Sequence, residues 1–350
     1  MNNDILYKNT HLFPIYKKEI KTYFCRMQFQ IPITIKPVER GISYRDKILL
    51  IGSCFTEHIG NYLQQVKFDV LQNPNGILFD PRSVCSSLTG YMENKKYAES
   101  DLFYLNEAWH SWAHHSRFSA VEKNDCLEKI NASQAAAHQY LSRCDWLIIT
   151  LGSSFCYQLI ETKKFVANCH KAPAQWFCKH LNEIEETVSE MENMLQRLFL
   201  FNPEIKVLLT ISPVRHLRDG VVENNRSKAR LIEAVHYLVQ KFVQVDYFPA
   251  YELVIDVLRD YRFYDVDLAH PNYAATEFVL EKFAETLMNS ETQELMEIIR
   301  KIRIAKNHRP FNPQSAQHKK FLETYYQQTL ALQQQYLYLN FAEELNYFRS

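Results

Sequence analysis

Short, uniformly apolar runs recur along this chain and alternate with segments of helical periodicity. Three clear runs are KILLIG at 47–52, DWLIITL at 145–151 and IKVLLTI at 205–211. None alternates polar and apolar side chains as a strand with one wet face does, so each predicts a strand buried on both faces. Such strands, separated by helices, are typical of a parallel sheet. We therefore expect an α/β fold of three layers, α/β/α, around a mainly parallel central sheet.

The segments between these runs complete the expected layout. FDVLQNPNG at 68–76 predicts a strand that ends in a turn, and VDYFPAYELVID at 245–256 predicts a last strand. The aromatic segment at 102–119 predicts one or two strands and a loop, and 155–177 is expected to be an insertion. Apolar residues at helical spacing predict helices at 81–92, 123–143, 179–201 and 224–242.

Composition divides the chain into three parts. Residues 1–26 mix Lys, Tyr and Asn without an apolar period, whereas MQFQIPITIKP from Met27 resembles a natural start. We therefore expect 1–26 to be an N-terminal extension whose native status is open, and 27–289 to be the α/β domain. Residues 290–350 are rich in Gln, Tyr and Leu and predict a C-terminal appendage of two or three helices packed on that domain.

Charge and apolar patterning exclude two classes of partner. The 40 basic and 40 acidic residues give a net charge of zero, and no basic block supplies the footprint that nucleic acid requires. No window of eighteen apolar residues is present, so no membrane span is expected. The N-terminus lacks the apolar core of a secretory signal, which leaves the cytoplasm as the expected location.

The eight cysteines are scattered and form no C-x-x-C pair. They are therefore interpreted as free thiols of a reducing compartment. Cys169 and His170 are adjacent, but their spacing is poor for a zinc site, and no metal or other cofactor is expected.

Residues suited to catalysis follow the predicted strands, at the sheet edge where ligands of such folds bind. Ser53 comes after KILLIG, and Asp267 and His270 lie three apart in the loop DLAH. A serine needs a base to become a nucleophile, histidine suits that task, and a carboxylate holds the imidazole. Alternatively, Ser53 and Asp267 simply cap the helices that follow them, and Asp265 is a rival for the acid.

An ester hydrolase also needs N–H donors for the oxyanion of its tetrahedral intermediate. The helix predicted after Ser53 presents backbone N–H groups and the positive end of its dipole. The amides of Cys54 and Gly76 are the expected donors, whereas the Cys54 thiol is expected to be buried and not a nucleophile.

This arrangement, a strand, Gly-Ser and a helix early and Asp-x-x-His late, resembles the SGNH/GDSL hydrolase superfamily. GSCF at 52–55 is similar to the signature of the GSCFA-domain family, with Thr56 in place of its alanine. The resemblance extends over about residues 30–320. It is carried by NPNGILFDP (73–81), WHSWAHHSRFS (109–119), ITLGSSFCY (149–157), VANCHKAP (166–173), ISPVRHLRDG (211–220), AHPN (269–272) and RPFNP (309–313).

The resemblance implies an SGNH-hydrolase-like, flavodoxin-like fold with Ser53 as nucleophile, His270 as base and Asp267 as acid. It also implies that Gly76 is the oxyanion glycine. The superfamily's Gly-x-Asn is absent, because the matching residues are Gly152, Ser153 and Ser154. Ser154 could donate through its hydroxyl, and Asn168 and His170 are alternative replacements for the asparagine.

Further polar residues are candidates for substrate binding. His110 and His115 are expected to line the cleft, unless they only hydrogen-bond within an aromatic loop. Arg215 and His216 follow the strand at 205–211 and could bind an anionic group.

The function expected from these residues is that of a serine esterase that hydrolyses or transfers an O-acyl group on a carbohydrate or other small molecule. The alternatives are a binding or scaffolding module of the same fold, and metal-dependent phosphoester hydrolysis by Asp265, Asp267 and the histidines. The sequence does not predict the oligomeric state.

Overall fold

The structure is a computed structural model that describes residues 30–349, so the predicted extension at 1–26 lies outside the described residues. Its strands are β1 Lys47–Gly52, β2 Asp69–Gln72, β3 Phe103–Leu105, β4 Ala108–His110, β5 Trp146–Leu151, β6 Phe155–Leu159, β7 Phe165–Val166, β8 Phe177–Leu181, β9 Lys206–Ile211 and β10 Val245–Phe248. Its longer helices are α1 Cys54–Gln65, α2 Pro81–Met92, α3 Lys123–Leu141, α4 Ile184–Phe201, α5 Val221–Lys241, α6 Tyr273–Leu287, α7 Ser290–Asn307, α8 Ala316–Gln335 and α9 Ala342–Arg349.

The central sheet has the strand order β10-β9-β5-β1-β2, and all of its neighbouring strands are parallel. Ile48 of β1 pairs with Val70 of β2 on one side and with Trp146 of β5 on the other. This is the flavodoxin-like order, and it confirms the predicted fold class. The direction of strand addition reverses between β1 and β5, and ligands of such sheets bind at that point, outside the carboxyl ends of the strands.

The apolar runs predicted to be strands bury both of their faces. Ile48 and Leu50 of β1 belong to one core cluster, whereas Leu49 and Ile51 belong to the cluster on the opposite face. Helices α1 and α6 cover the first face, and α2, α3, α4 and α5 cover the second. Each Leu or Ile buried in this way contributes roughly 1.5–3 kcal/mol relative to an exposed position.

The C-terminal helices extend the first of these faces. Ile299 of α7 and Leu332 of α8 lie in the same core cluster as α1 and α6. Phe341 is fully buried, and Lys67, just beyond α1, forms an ion pair with Glu344 of α9 at 2.7 Å. The helices predicted for 290–350 are therefore present. Their division from the α/β domain at 289 stays a prediction.

Two predicted elements differ from the structure. The helix predicted from 179 begins only at Ile184, because Phe177–Leu181 pairs with β6 in a small antiparallel sheet of order β7-β6-β8. The strand predicted over 245–256 ends at Phe248, because Pro249 has no N–H to continue the ladder. The chain then turns into a short helix, Ala250–Glu252, and a π-helical turn at Leu253–Leu258.

The connections at the carboxyl edge of the sheet carry the smaller elements. The predicted aromatic strands form the antiparallel hairpin β3–β4, and the small antiparallel sheet is inserted directly after β5. Within residues 30–349, no helix is long and apolar enough to cross a membrane.

Candidate active site

Ser53 lies where β1 meets the N-terminus of α1. Its backbone is extended, with φ −69° and ψ 174°, and its Oγ accepts a hydrogen bond of 3.3 Å from the Phe55 amide. Its own amide donates to the Thr150 carbonyl of β5 at 3.2 Å. Ser53 therefore caps α1, and only 2 % of it is exposed. The positive end of the helix dipole would stabilise negative charge on this hydroxyl.

The DLAH loop orients its own imidazole. The Asp267 carboxylate accepts N–H bonds from His270 at 3.0 Å and from Ala269 at 2.9 Å, and its Oδ2 lies 2.6 Å from His270 Nδ1. These bonds lower the pKa of Asp267 to about 2, the His270 amide contributing most. The ionised carboxylate favours a proton on Nδ1, which leaves His270 Nε2 able to accept one.

Asp267, rather than its rival Asp265, holds the imidazole. Asp265 contributes its backbone amide, which donates to the His270 carbonyl at 2.8 Å. Leu268, the residue after Asp267, has φ +55°, a left-handed backbone conformation that is uncommon for a residue with a side chain of this size. This tight turn brings the Asp267 carboxylate back onto the residues that follow it.

Main-chain contacts join the DLAH loop to the strand ends near Ser53. The Arg215 amide donates to the Ala269 carbonyl at 3.0 Å, and the next residue, His216, packs beside Gly152 at the end of β5. The Ser53 amide in turn contacts Thr150 of β5. Within residues 30–349, no hydrogen bond joins the Ser53 hydroxyl to His270, whose side chain is 46 % exposed. The three predicted catalytic residues share one edge of the sheet without forming a closed triad.

The two amides predicted as oxyanion donors differ. Cys54 is the first residue of α1, so its amide has no intrahelical acceptor. The Gly76 amide, by contrast, donates to the Asn73 carbonyl at 2.8 Å and closes a turn, which counts against it as a donor. Burial raises the pKa of the Cys54 thiol, as expected for a thiol that is not a nucleophile.

Ser154 is hydrogen-bonded to helix α5. Its amide donates to Ser227 Oγ at 2.7 Å, its hydroxyl donates to the Ser227 carbonyl at 2.9 Å, and it is fully buried. Neither group is left to face a substrate, so the structure counts against the prediction that Ser154 donates to the oxyanion.

Arg215 and His216 differ in charge. The Arg215 guanidinium lies over the Tyr264 ring, 4.3 Å from its centroid, and has no ion-pair partner within residues 30–349. Burial, followed by the charge of Lys228, lowers the pKa of His216 to about 4. His216 is therefore neutral near pH 7 and does not bind an anion as a cation. That part of the prediction applies only to Arg215.

Lys228 of α5 carries a buried amine that the sequence patterns did not single out. It is 1 % exposed, and its Nζ donates to the Gly152 carbonyl at 2.6 Å and to the Ser212 carbonyl at 2.7 Å. Burial lowers its pKa to about 7. A signal was present: Leu231 and Val235 lie three and seven residues later, on the buried face of the same helix.

The histidines of the aromatic loops differ in how completely their ring nitrogens are bonded. His110 uses both ring nitrogens, on Ser119 Oγ at 2.7 Å and on the Leu105 carbonyl at 2.9 Å. His170 is 7 % exposed, and its Nε2 lies 2.8 Å from the Ser111 carbonyl. These contacts count against His110 as a cleft residue and against His170 as a replacement for the asparagine.

Asn168 and His115 have other neighbours. Asn168 Oδ1 accepts the His170 amide at 2.8 Å, so it shapes the chain beside the buried imidazole. His115 is only partly buried, its amide donates to the Asn75 carbonyl at 2.9 Å, and its Cβ packs directly on Gly76. Of the two predicted cleft histidines, His115 is the one that borders the turn nearest Ser53.

The described part of the chain contains no group of three or more His, Cys, Asp or Glu side chains arranged to hold a metal ion. Cys169–His170 and the Asp265–Asp267 pair thus lack the neighbours that a metal site requires.

Several solved structures share weak overall similarity with this chain. A family 3 carbohydrate esterase from Talaromyces cellulolyticus has 10 % identity and a TM-score of 0.33, covering 73 % of this chain and 99 % of its own. An acetyl xylan esterase from Butyrivibrio proteoclasticus has 11 % identity and a TM-score of 0.35, covering 73 % and 64 %. A family two carbohydrate esterase from Clostridium thermocellum has 13 % identity and a TM-score of 0.35, covering 73 % and 65 %. These likenesses are too weak to identify a substrate.

Family comparison is more specific. No curated protein sequence matches the chain. The GSCFA family model matches residues 47–283, which include Ser53, the strand ends and the DLAH loop. The model of the GSCFA C-terminal domain matches residues 299–350, the region of the last helices. These matches span most of the chain and confirm the resemblance seen in its motifs: the chain belongs to the GSCFA family.

Proposed function

We propose that this protein is a serine esterase of the SGNH type that hydrolyses or transfers an O-acyl group on a carbohydrate or other small molecule. The observation that carries the proposal is the 2.6 Å contact between Asp267 and His270, which leaves Nε2 available as a base at the sheet edge where Ser53 begins a helix. A carboxylate, an imidazole and a serine at a helix N-terminus are the groups that acyl transfer through a covalent intermediate requires.

The proposed reaction has two steps, formation and breakdown of an acyl-enzyme. Ser53 Oγ attacks the acyl carbon while its proton passes to His270 Nε2, and Asp267 stays ionised and stabilises the imidazolium. The tetrahedral intermediate collapses, and the departing alcohol takes the proton from His270. Water, or an acceptor alcohol in a transferase, then attacks the acyl carbon of the acyl-enzyme and gives a proton to His270. The second tetrahedral intermediate collapses as the bond to Ser53 Oγ breaks, Ser53 Oγ takes that proton back from His270, and the carboxylic acid or the new ester departs. The Cys54 amide supports the oxyanion of each intermediate.

A small rearrangement at Ser53 must precede attack. Its hydroxyl is buried and bonded to the Phe55 amide. Breaking a cap bond of this kind costs about 1 kcal/mol, and the hydroxyl then reaches other staggered positions by rotation about one bond. Contacts between catalytic groups are often long before substrate binds, so an open Ser53–His270 pair is compatible with activity.

The test compares wild type with Ser53→Ala on short-chain aryl esters and acetylated sugars. Ser53→Ala should retain the fold, because it loses only the cap bond. Its turnover should fall to background, a loss that is on the order of 10⁶-fold in well-studied triads. A fluorophosphonate should label wild type but not the variant. Equal rates and equal labelling in both proteins would overturn the proposal.

One observation favours a second candidate, a binding module that keeps the fold without the reaction. The Ser53 hydroxyl serves as a helix cap, and the position of the missing asparagine is filled by Ser154, which is bonded to Ser227. Under this alternative, acetylated sugars would bind equally well to wild type and to Ser53→Ala, without turnover by either. Calorimetric titration of the two proteins separates the candidates.

A further inference from the structure

The site has a shortage of oxyanion donors. The Gly76 amide closes a turn and Ser154 is bonded to Ser227, so of the donors predicted at residues 54, 76 and 154 the Cys54 amide remains. A single removed donor typically costs an ester-cleaving enzyme about 10²–10³ in kcat. If this protein turns esters over efficiently, another N–H group must therefore serve the oxyanion.

The His216 ring occupies the space beside Gly152. A Cβ added to Gly152 would lie 3.1 Å from His216 Nε2 and 3.0 Å from Phe79 Cβ, so the glycine is what allows both side chains to approach the end of β5. The His216 and Phe79 rings have centroids 4.8 Å apart. The His216 amide donates to Asn224 Oδ1 at 2.9 Å, which fixes the backbone that carries the ring.

His216 Nε2 is buried and has no hydrogen-bond partner within the described chain. A buried polar atom without a partner costs about 1–3 kcal/mol, so such an atom calls for an explanation. His216 Nε2 lies at the end of β5, the strand whose Thr150 carbonyl accepts a hydrogen bond from the Ser53 amide. The preceding residue, Arg215, donates its amide to the Ala269 carbonyl of the DLAH loop. An acceptor that appears only during the reaction would satisfy it.

The surrounding charges keep the imidazole neutral. Lys228, His270 and Lys179 all disfavour its protonation, and Asp219 alone among these neighbours favours it. Lys228 also bonds the carbonyls of Gly152 and Ser212, which follow β5 and β9, and so holds these two neighbouring strand ends together. A neutral imidazole carries one N–H, so it can donate without competing with His270 for the Ser53 proton.

We propose that the neutral imidazole of His216 donates an Nε2–H bond to the oxyanion formed when Ser53 attacks, and thereby replaces the asparagine of the superfamily. Lys228 is the positioning residue of this arrangement. The inference rests on the proposed esterase function and adds to it the identity of the second donor.

Kinetics of two His216 variants test the inference. His216→Phe keeps a ring against Phe79 but removes the N–H, and kcat should fall about 10²–10³-fold while KM changes little. His216→Gln restores an N–H and should recover part of the loss. Melting temperatures check that both variants fold, and the end point of fluorophosphonate labelling checks that Ser53 is intact. Turnover that survives His216→Phe would overturn this inference alone, whereas the absence of any Ser53-dependent turnover would overturn the proposed function with it.

Nitrogen NMR gives a reading that does not depend on turnover. In ¹⁵N-histidine-labelled wild type, the resonance that disappears in His216→Gln should show the neutral Nε2–H tautomer at about pH 7. A doubly protonated ring, or a proton on Nδ1 with Nε2 as acceptor, would contradict the inference even in an active enzyme. In Lys228→Met the same ring should protonate at higher pH, because the nearby positive charge is gone.

Discussion

The proposed mechanism gives the hydroxyl of Ser53 two roles that cannot be met at once. As an N-cap it accepts the Phe55 amide, and as a nucleophile it must face an acyl carbon and lose its proton. A cap contributes about 1 kcal/mol, which is small beside the barrier reductions of acyl transfer. The capped state is therefore a resting state that substrate binding can displace at little cost.

Asp267 and its neighbour Asp265 form a matched pair for mutagenesis. Asp267→Asn should lower kcat by about 10²–10⁴-fold, because the amide no longer fixes the tautomer of His270 or stabilises its cation. Asp265→Asn keeps the backbone bond to His270 and should change kcat little. The measurement is kcat and KM of each variant on one aryl ester. A larger loss in Asp265→Asn would show that the rival carboxylate orients the base.

The pH dependence of this pair follows from the lowered pKa of Asp267. A carboxylate whose pKa is lowered in the folded state stabilises that state above its ordinary pKa and loses this effect as the pH falls toward about 2. Asp267 therefore stays ionised well below its ordinary pKa. In kcat/KM measured against pH, protonation of Asp267 should accordingly cause no loss of activity above about pH 4, the ordinary pKa of an aspartate.

The strands of this protein were predictable from its sequence, whereas the partners of its polar side chains were not. Strand ends were predictable because each apolar run is continuous, and Ser53 directly follows such a run. Ser154 was not, because its partner Ser227 lies 73 residues later and on a helix. The hydrogen bonds of His110 were not predictable either, although Ser119 and Leu105 are close in sequence, because they form only once the hairpin β3–β4 has folded. Local pattern locates an element, and the tertiary fold decides whether its polar groups are free.

The packing of the turn after β2 can be tested with two glycine substitutions. Gly76 has φ +85°, and an added Cβ would collide with His115 Cβ; Gly220 has φ +87°, with no atom within 4 Å of such a Cβ. Alanine at either position would introduce backbone strain that costs about 1–3 kcal/mol. Gly76→Ala should lose about 1–3 kcal/mol more, because the new methyl group must displace His115.

Urea unfolding of the two glycine variants measures the difference. The extra loss in Gly76→Ala isolates the packing of His115 on the turn, since both variants share the strain of a left-handed residue. Equal losses would mean that His115 moves aside freely, and its proposed place at the cleft would then lose its support.

The fold class of the whole molecule can be predicted from the apolar pattern of the sequence. The positions of its buried ionisable groups cannot be predicted in this way. The parallel sheet explains why the groups proposed to be catalytic, from residues 53, 216 and 270, share one edge. Lys228 escaped notice because a lysine in a helix is ordinarily solvated, although its helical neighbours are buried. The core thus contains several ionisable groups that remain neutral or costly to charge, and these tie stability to pH.

His114 and His170 should make the protein sensitive to acid. Both are buried, and burial lowers the pKa of His114 to about 3 and that of His170 to about 4, from 6.5. A histidine with a lowered folded pKa stabilises the folded state fully above its unfolded pKa, and this contribution is lost as the pH falls toward the folded value. The free energy of unfolding should therefore fall between about pH 6.5 and pH 4, by about 1.4 kcal/mol per pH unit for each histidine.

Urea unfolding at several pH values in that interval checks this slope, and two substitutions resolve its origin. His114→Gln removes one of the titrating groups and should reduce the slope of the unfolding free energy against pH by about 1.4 kcal/mol per pH unit, the contribution of one proton. A loss of stability that is the same at every pH does not change this slope. His58 is exposed on α1, so His58→Gln should leave the slope unchanged. If His114→Gln and His58→Gln gave the same slope as wild type, the acid sensitivity would have to come from groups other than His114, and the buried histidine would be charged in the folded protein.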